Sequence, residues 1–266
     1  MHSHLINYAK WLVWQYYQTE WNRKLVIRNG GAPSLPSSMD KETLLFSQFG
    51  FDLVRPEFYG YARSAGIFSP KNCIQTIYDT IQIFKQQLPI LSVYEDADIT
   101  TPVYDEIVII GHSYGGWMSA LIPKFDEIIK EIVLIAPWFA PDDLNKLWYD
   151  EETDEEFLRQ CLLWYKPLYR FEEWVDPYDG LINLWALNPI HDLSHLSETK
   201  VFVWHGSADD VIWGGRSRQL VDALRQMNPD GKDHQAEYYG RWHGGLCKEA
   251  TLQWWIHRRK QFEVEE

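Results

Sequence analysis

Short runs of β-branched and other apolar residues recur along the chain, separated by glycine, proline and polar turns. Such runs are typical of strands buried on both faces of a parallel sheet. Between them, apolar residues recur at helical spacing. The alternation predicts an α/β protein with a mostly parallel central sheet flanked by helices. The predicted strands are 11–18, 24–28, 51–54, 107–110, 131–135, 201–204 and 236–239, and the predicted helices are 72–88, a short one closed by Pro123, 216–227 and 248–261.

The first of these segments is the most ambiguous. Residues 5–20 combine aromatic and β-branched side chains, which favours a strand over 11–18. The same residues are also compatible with one aromatic helix. A helix lying in a membrane interface is disfavoured, because its polar face lacks a cluster of basic residues.

Residues 138–186 interrupt the alternation, because aromatic residues there lie between acidic ones. The segment is too long for a structureless loop, so we predict a helical lid inserted over the sheet. The predicted domains are therefore a core of 1–137 and 187–266 and a lid of 138–186. We interpret the lid's acidic groups as a solvated face, although a cationic substrate group could be held by Glu155, Glu156, Glu172 or Glu173.

The composition narrows the class of partner. The chain has 266 residues and a net charge of −13, which disfavours nucleic acid and anionic membranes as partners. Cys73, Cys161 and Cys247 are too few and too scattered for a disulfide framework or a thiolate metal site. With no signal-peptide pattern and no apolar run of membrane-spanning length, we expect a soluble cytoplasmic protein.

Candidate chemistry is concentrated in residues 106–116, which read E-I-V-I-I-G-H-S-Y-G-G. The buried strand predicted there stops at Gly111. From that residue to Gly115 the chain matches G-x-S-x-G, in which a sharp strand-to-helix turn exposes a serine hydroxyl. Such a pattern also occurs by chance in loops, but the preceding strand and the doubled glycine favour the functional interpretation. Ser113 is the predicted nucleophile.

An oxyanion hole requires backbone or side-chain donors beside the nucleophile. The N–H of Tyr114 begins a helix and is one candidate. A second strand end runs into Asn29, Gly30 and Gly31, whose donors could complete the hole. The alternative for these three residues is an ordinary glycine-proline loop.

A serine nucleophile needs a histidine base and an acid that orients the histidine. Asp209 and His243 each follow a predicted strand near the chain's end, and the order Ser113, Asp209, His243 is the one expected for a nucleophile elbow. Asp210 is the rival acid. We prefer Asp209 because it is the first of the two residues after the predicted strand 201–204, whereas Asp210 is better placed to cap the next segment of the chain.

The remaining histidines have structural interpretations. We expect His112 to pack beside the elbow and His205 to hydrogen bond within its strand-end loop. His191 and His195 with Asp192 weakly suggest metal ligands, but a structural loop is preferred because no further ligand follows at a recognisable spacing. No metal or other cofactor is expected.

Together these motifs resemble the α/β-hydrolase superfamily from about Leu25 to the C-terminal helix. G-H-S-Y-G-G-W-M is similar to the serine motif of prolyl-oligopeptidase-type peptidases and their esterase relatives. Residues 52–66 resemble that family's strand and glycine-serine turn, with Ala62 where glycine is common. The family's usual oxyanion tyrosine has no counterpart in these motifs, and Asn29 precedes the glycine pair where lipase-like relatives often have histidine.

The resemblance implies acyl transfer through an acyl-enzyme on Ser113, without a cofactor. We favour hydrolysis of small or medium carboxylic esters. A prolyl-oligopeptidase-like peptidase acting on short peptides is the second hypothesis. A non-catalytic binding protein on the same fold is the third. The expected partner is thus a small ester or a short peptide, and the sequence does not specify the oligomeric state.

Overall fold

The computed structural model describes residues 2–8, 12–19, 21–36, 40–139, 154–182, 187–229, 234–239 and 248–265. The strands in these residues are β1 His2–Tyr8, β2 Leu12–Gln18, β3 Lys24–Asn29, β4 Phe51–Pro56, β5 Ile90–Ser92, β6 Ala97–Ile99, β7 Glu106–His112, β8 Glu131–Ile135, β9 Lys200–Gly206 and β10 His234–Tyr239. The α-helices are α1 Asp40–Gln48, α2 Pro70–Lys85, α3 Tyr114–Ala120, α4 Glu155–Tyr165, α5 Pro177–Ile182, α6 Gly214–Met227 and α7 Lys248–Glu265.

One sheet runs through the described chain, in the order β10-β9-β8-β7-β3-β4-β2-β1-β5-β6. The first six strands in this order are parallel to one another. The other four are added to that block by antiparallel pairing. The predicted mostly parallel sheet is therefore confirmed. The carboxyl ends of its six parallel strands lie at one edge, and β7, which precedes Ser113, ends there.

Helices cover both faces of the sheet because successive residues of a buried strand point to opposite sides. In β7, Ile107 and Ile109 belong to the core under α2 and α3, whereas Val108 and Ile110 pack with side chains from α1 and α7. All four are buried. The continuous apolar run at the elbow thus reflects a strand buried on both faces.

The N-terminal segment is a β-hairpin. β1 and β2 pair in antiparallel register from His2 with Gln18 to Tyr8 with Leu12, and β2 continues onto β4. The predicted strand is confirmed over Leu12–Gln18, residue 11 lying outside the described residues, and the alternative aromatic helix is wrong. Trp14 and Tyr16 are buried and pack on Phe84 of α2, so alternate residues of β2 face the core as a strand requires.

The predicted lid segment is hydrogen bonded to the core through residues 168–171, which we call the anchor. Its backbone forms hydrogen bonds with the loop after β4, from Ala62 N to Leu168 O at 2.7 Å and from Arg170 N to Gly60 O at 2.8 Å. Ala62 adopts a φ of 45°, a left-handed conformation that glycine adopts more readily. The described part of the predicted lid segment also contains α4 and α5, whereas 140–153 and 183–186 lie outside the described residues.

Candidate active site

Ser113 lies at a sharp turn between β7 and α3. Its φ of 53° and ψ of −122° place a non-glycine residue in a region that L side chains rarely adopt. The turn is held from both sides, because Ser113 N donates to Ile135 O at 2.9 Å and Ser113 O accepts from Trp138 N at 3.1 Å. The strained backbone is therefore fixed by β8 and by the chain that follows it.

The glycines of the motif are explained by close backbone approach. A Cβ added to Gly111 would lie 2.4 Å from Gly115 O, and one added to Gly115 would lie 2.3 Å from Gly30 O. Both distances are far below van der Waals contact, and both neighbours are backbone atoms that cannot rotate away. The elbow and the loop after β3 consequently touch through their main chains.

Replacing Gly115 by alanine should therefore separate these two loops. We expect a loss of about 3 kcal/mol in the free energy of unfolding, the upper range for overpacking. Turnover of a p-nitrophenyl ester should fall about 100-fold or more, because the predicted oxyanion donors of the Gly30–Gly31 turn would be displaced. Urea unfolding and ester kinetics would measure the two effects.

The matched control is Gly214→Ala, at the start of α6. There a Cβ would meet nothing closer than 3.5 Å. We expect this variant to stay within about 0.5 kcal/mol of the parent in unfolding free energy, as most benign substitutions do. If Gly115→Ala behaved like this control in both measurements, the close packing of the two loops would not matter for function.

The turn after β3 lies beside the nucleophile. A Cβ added to Gly31 would lie 3.1 Å from Ser113 Cβ, so the backbone of Gly31 borders the hydroxyl. Gly30 lies next to it and also lines the cavity described below. Tyr114 begins α3, where first-turn N–H groups have no partner within the helix. The predicted oxyanion donors Tyr114, Gly30 and Gly31 are thus adjacent to Ser113.

Asn29 requires a correction. Its side chain is fully buried, and Nδ2 donates to Ser119 Oγ at 2.9 Å. Ser119 Oγ in turn donates to Gly115 O at 2.7 Å. The amide therefore braces α3 against β3 and does not face a substrate, contrary to the expectation that it donates to an oxyanion. Sequence could not show this, because the side-chain direction depends on how α3 packs.

The two acid candidates differ in burial. The side chain of Asp209 is completely buried, whereas Asp210 is exposed. Oδ1 of Asp209 accepts from Val211 N at 3.0 Å and from Ile212 N at 2.9 Å, which stabilises a carboxylate there. Its Oδ2 lies 3.3 Å from His205 Nε2.

His205 fits a structural role. Nε2 of His205 lies 2.9 Å from Ile212 O. Because a carbonyl oxygen can only accept, Nε2 carries the proton. Nδ1 lies 2.7 Å from Ser217 Oγ, which can donate to it. Both ring nitrogens are therefore engaged within the strand-end loop and α6, as expected from the sequence. This arrangement stiffens the loop that presents Asp209.

The predicted base, His243, lies outside the described residues. The strand before it is described, however. β10 pairs in parallel with β9, with Tyr239 opposite Gly206, so both strands end at the same level. Ser113 follows β7 at this same edge of the parallel block. Topology accordingly brings the strand ends that precede Ser113, Asp209 and His243 to one edge of the sheet.

A cavity of about 350 Å³ opens at Ser113. Its wall includes His112, which lies beside the elbow as predicted, and Cys161 of α4. Burial raises the pKa of the Cys161 thiol. Most of the remaining wall is apolar. It is formed by the loop after β3, the segment after β8, helix α4 and the loop behind Asp209, through Leu35, Trp138, Phe157, Leu158, Val211 and Ile212.

Residues 84–264 match the family model Peptidase_S9, the prolyl oligopeptidase family. The chain belongs to the prolyl oligopeptidase family. Comparison with curated protein sequences gives no significant match.

This family member also resembles solved structures along its whole length. DcsB in complex with its substrate analogue is 15% identical, with 99% of this chain and 98% of DcsB covered and a TM-score of 0.63. The esterase EaEST from Exiguobacterium antarcticum is 12% identical, with 97% and 100% covered and a TM-score of 0.60. Mouse α/β hydrolase domain-containing protein 10 is 14% identical, with 100% and 99% covered and a TM-score of 0.58. These likenesses establish the α/β-hydrolase fold.

Two arginines in the cavity wall of this family member were not predicted from the sequence. Arg28 and Arg55 are in the wall with Ser113. Burial lowers the pKa of Arg28, Glu42 raises it, and the nearby charge of Arg55 lowers it. The available signal was that both arginines directly follow apolar strand runs, in K-L-V-I-R and F-D-L-V-R.

The other sequence candidates lie away from the cavity. His195 Nε2 contacts Ala120 O at 2.9 Å, and Asp192 accepts from Ser194 N at 3.1 Å, which agrees with a structural loop. Within the described ranges, no group of three His, Cys, Asp or Glu has the geometry to hold a metal ion. Nor is any helix there both long and apolar enough to cross a membrane.

The four lid glutamates also lie apart from the described part of the cavity wall. Glu155 accepts from Arg159 Nε at 2.7 Å, and Glu156 accepts from Gln160 Nε2 at 2.9 Å, so both support α4 from within. Glu172 and Glu173 are exposed. These positions favour the solvated face over a site for a cationic substrate group.

Proposed function

We propose that this member of the prolyl oligopeptidase family is a serine hydrolase that cleaves small or medium carboxylic esters. The observation that carries the proposal is the position of Ser113. It stands on a strained elbow in the wall of a largely apolar cavity of about 350 Å³. Pockets of this volume suit small-molecule substrates.

The reaction would proceed in two halves. His243 takes the proton of Ser113 Oγ as the oxygen attacks the ester carbonyl, and it then protonates the departing alcohol. Water next attacks the acyl-enzyme, with His243 again acting as base. Asp209 stays ionised and orients the imidazole.

Charge on the carbonyl oxygen develops at the junction of the two loops that meet at the elbow. Donors there would be Tyr114 N–H and the backbone of the Gly30–Gly31 turn. Loss of one such donor typically costs about 3 kcal/mol of barrier. The close contact of Gly115 with Gly30 O supports this assignment, since it fixes the spacing of the two donor segments.

A peptidase acting on short peptides is the second candidate, and the family match supports it. The lid would enclose the substrate in either case. Its helix α4 contributes Phe157, Leu158 and Cys161 to the cavity wall. Ester and amide substrates use the same catalytic groups, so only turnover can separate the two candidates.

The test is a paired substrate panel on the purified protein. One series contains p-nitrophenyl esters from acetate to octanoate, and the other contains aminoacyl and dipeptidyl p-nitroanilides. We expect ester turnover with an optimum at short or medium chain length, and active-site labelling by a fluorophosphonate. Amide turnover exceeding ester turnover would favour the peptidase. A folded protein that is neither labelled nor active on either series would favour the binding protein.

A further inference from the structure

Residues 30–34, which we call the β3 turn, follow β3 and border the nucleophile through Gly31. They read G-G-A-P-S. Two successive glycines make this backbone conformationally permissive, so its shape depends on contacts from outside the turn. Catalytic groups, in contrast, must be held to within about 0.5 Å of their productive positions. The contacts that hold the β3 turn therefore bear on the proposed reaction.

The turn is held at one end by the elbow and at the other by Ser34. At the first end, Gly30 O lies against Gly115, as described above. At the other end, Ser34 Oγ donates to Gly31 O at 2.7 Å. Because a peptide unit is planar, a hydrogen bond to its oxygen orients the whole peptide. The hydroxyl of Ser34 thus orients the peptide that follows Gly31.

Two tyrosines hold Ser34 by its backbone. Tyr61 OH donates to Ser34 O at 3.0 Å, and Tyr169 OH accepts from Ser34 N at 3.0 Å. Tyr61 belongs to the loop after β4, and Tyr169 belongs to the anchor of the lid. Both backbone groups of Ser34 are therefore bound by phenol hydroxyls from two other segments of the chain.

The two phenols are themselves fixed in the core. Both side chains are buried, and their ring centroids lie 4.9 Å apart. Residues 61 and 169 also form a β-bridge, and the Tyr169 ring packs edge-on against Phe68. Burial raises the pKa of Tyr61 to about 12, so at neutral pH its hydroxyl keeps the proton that it donates to Ser34. The turn is thus hydrogen bonded to groups that belong to the core.

A small cavity of about 30 Å³ lies behind the β3 turn. Among the residues that border it are Gly30, Gly31, Ser34, Tyr61 and Tyr169. Atoms that border a space have fewer packing contacts on that side. The hydrogen bonds to Ser34 therefore supply much of the restraint on this side of the turn.

We infer that Tyr61 and Tyr169 are positioning residues for the proposed hydrolysis, because through Ser34 they hold the β3 turn where a developing oxyanion requires it. We call this pair the clamp. The inference deepens the proposed function and rests on it. In the described part of the wall of the cavity at Ser113, neither tyrosine is present, so each acts through the turn and not on the substrate.

The test removes each phenol hydroxyl alone. Tyr61→Phe and Tyr169→Phe are nearly isosteric and keep both rings. We expect each to lower kcat for p-nitrophenyl butyrate about tenfold, the effect of one lost hydrogen bond, while KM stays within about twofold. Labelling by a fluorophosphonate should slow by a similar factor, because its phosphoryl oxygen needs the same donors as the oxyanion.

Tyr59→Phe is the matched control. It removes a phenol hydroxyl from the same loop, but that hydroxyl donates to Asp79 Oδ2 of α2 at 2.8 Å. We expect kcat, KM and the labelling rate to stay within about twofold of the parent. If Tyr61→Phe and Tyr169→Phe matched this control, or raised KM at unchanged kcat, the inference would be overturned.

A double-mutant cycle tests the route through Ser34. Ser34→Ala removes the hydrogen bond to Gly31 O but leaves both backbone groups that the tyrosines bind. If the clamp acts through Ser34, Tyr61→Phe should lower kcat less than about threefold in the Ser34→Ala protein. An undiminished tenfold loss in that protein would overturn the route.

Hydrogen exchange separates failure of this inference from failure of the proposed function. The N–H of Ser34 donates to Tyr169, so Tyr169→Phe should speed its exchange about tenfold, whatever the protein hydrolyses. Faster exchange in a protein that is neither labelled nor active on any ester would reject the hydrolase and keep the clamp. Ester turnover and labelling, with exchange, kcat and labelling rate all unchanged in Tyr169→Phe, would leave the serine hydrolase standing and refute the clamp.

Discussion

Replacing Ser113 by alanine should lower kcat/KM for the best ester at least about 10⁴-fold and abolish labelling by a fluorophosphonate. The loss follows from removing the hydroxyl oxygen that the elbow presents to the cavity. The fold should be unaffected, because both hydrogen bonds that hold the turn use backbone atoms of residue 113. Steady-state kinetics and the unfolding midpoint would be measured on the same preparations.

A second substitution provides the control for strain. Ser113→Gly removes the same hydroxyl but also relieves a φ of 53° that alanine must still adopt. We expect the glycine variant to be more stable than the alanine variant by about 1 kcal/mol, after allowing for the greater freedom of unfolded glycine. Retention of more than a tenth of the activity in either variant would exclude Ser113 as nucleophile.

The second large effect is expected at Asp209. Asp209→Asn should reduce kcat/KM about 10³- to 10⁴-fold, because the amide no longer selects the histidine tautomer that accepts the serine proton. The change is nearly isosteric. The carbonyl oxygen of asparagine can still accept from Val211 N and Ile212 N, so the loop should keep its conformation. The pre-steady-state acylation rate would show whether the proton transfer itself is slowed.

Asp210→Asn is the matched control for that prediction. It makes the same chemical change one residue later, at an exposed position. Activity within about threefold of the parent is expected, in line with the small effect of most surface substitutions. The opposite result, a large loss in Asp210→Asn and a small one in Asp209→Asn, would assign the acid to Asp210.

The parts of this protein that could be predicted from sequence are those set by local pattern. The elbow is one such part, since a buried strand, a fixed serine position and close-packed glycines leave few alternatives for the backbone. The alternation of strands and helices likewise determines the parallel block. The predicted bounds of β8 equal the observed ones. Helix α6 begins at Gly214, two residues before its predicted start.

The parts that could not be predicted depend on contacts between distant segments. Strands β1, β5 and β6 were not predicted. All three lie at the antiparallel end of the sheet, where β1 pairs with β2 and β5, and β5 pairs with β6. Asn29 illustrates the same limit, because its role is decided by Ser119, ninety residues away. Arg28 and Arg55 lie side by side because of the register of β3 on β4, and neither strand's own sequence encodes that register.

The anchor and helix α4 contact different parts of the molecule. Residues 168–171 are hydrogen bonded to the loop after β4, and the ring of Tyr169 packs edge-on against Phe68, so the base of the lid belongs to the core. Helix α4 instead meets the cavity through the side chains of Phe157, Leu158 and Cys161. We therefore expect substitutions on α4 to reshape the cavity without disturbing the elbow, which makes α4 the segment to randomise when a change of substrate range is sought.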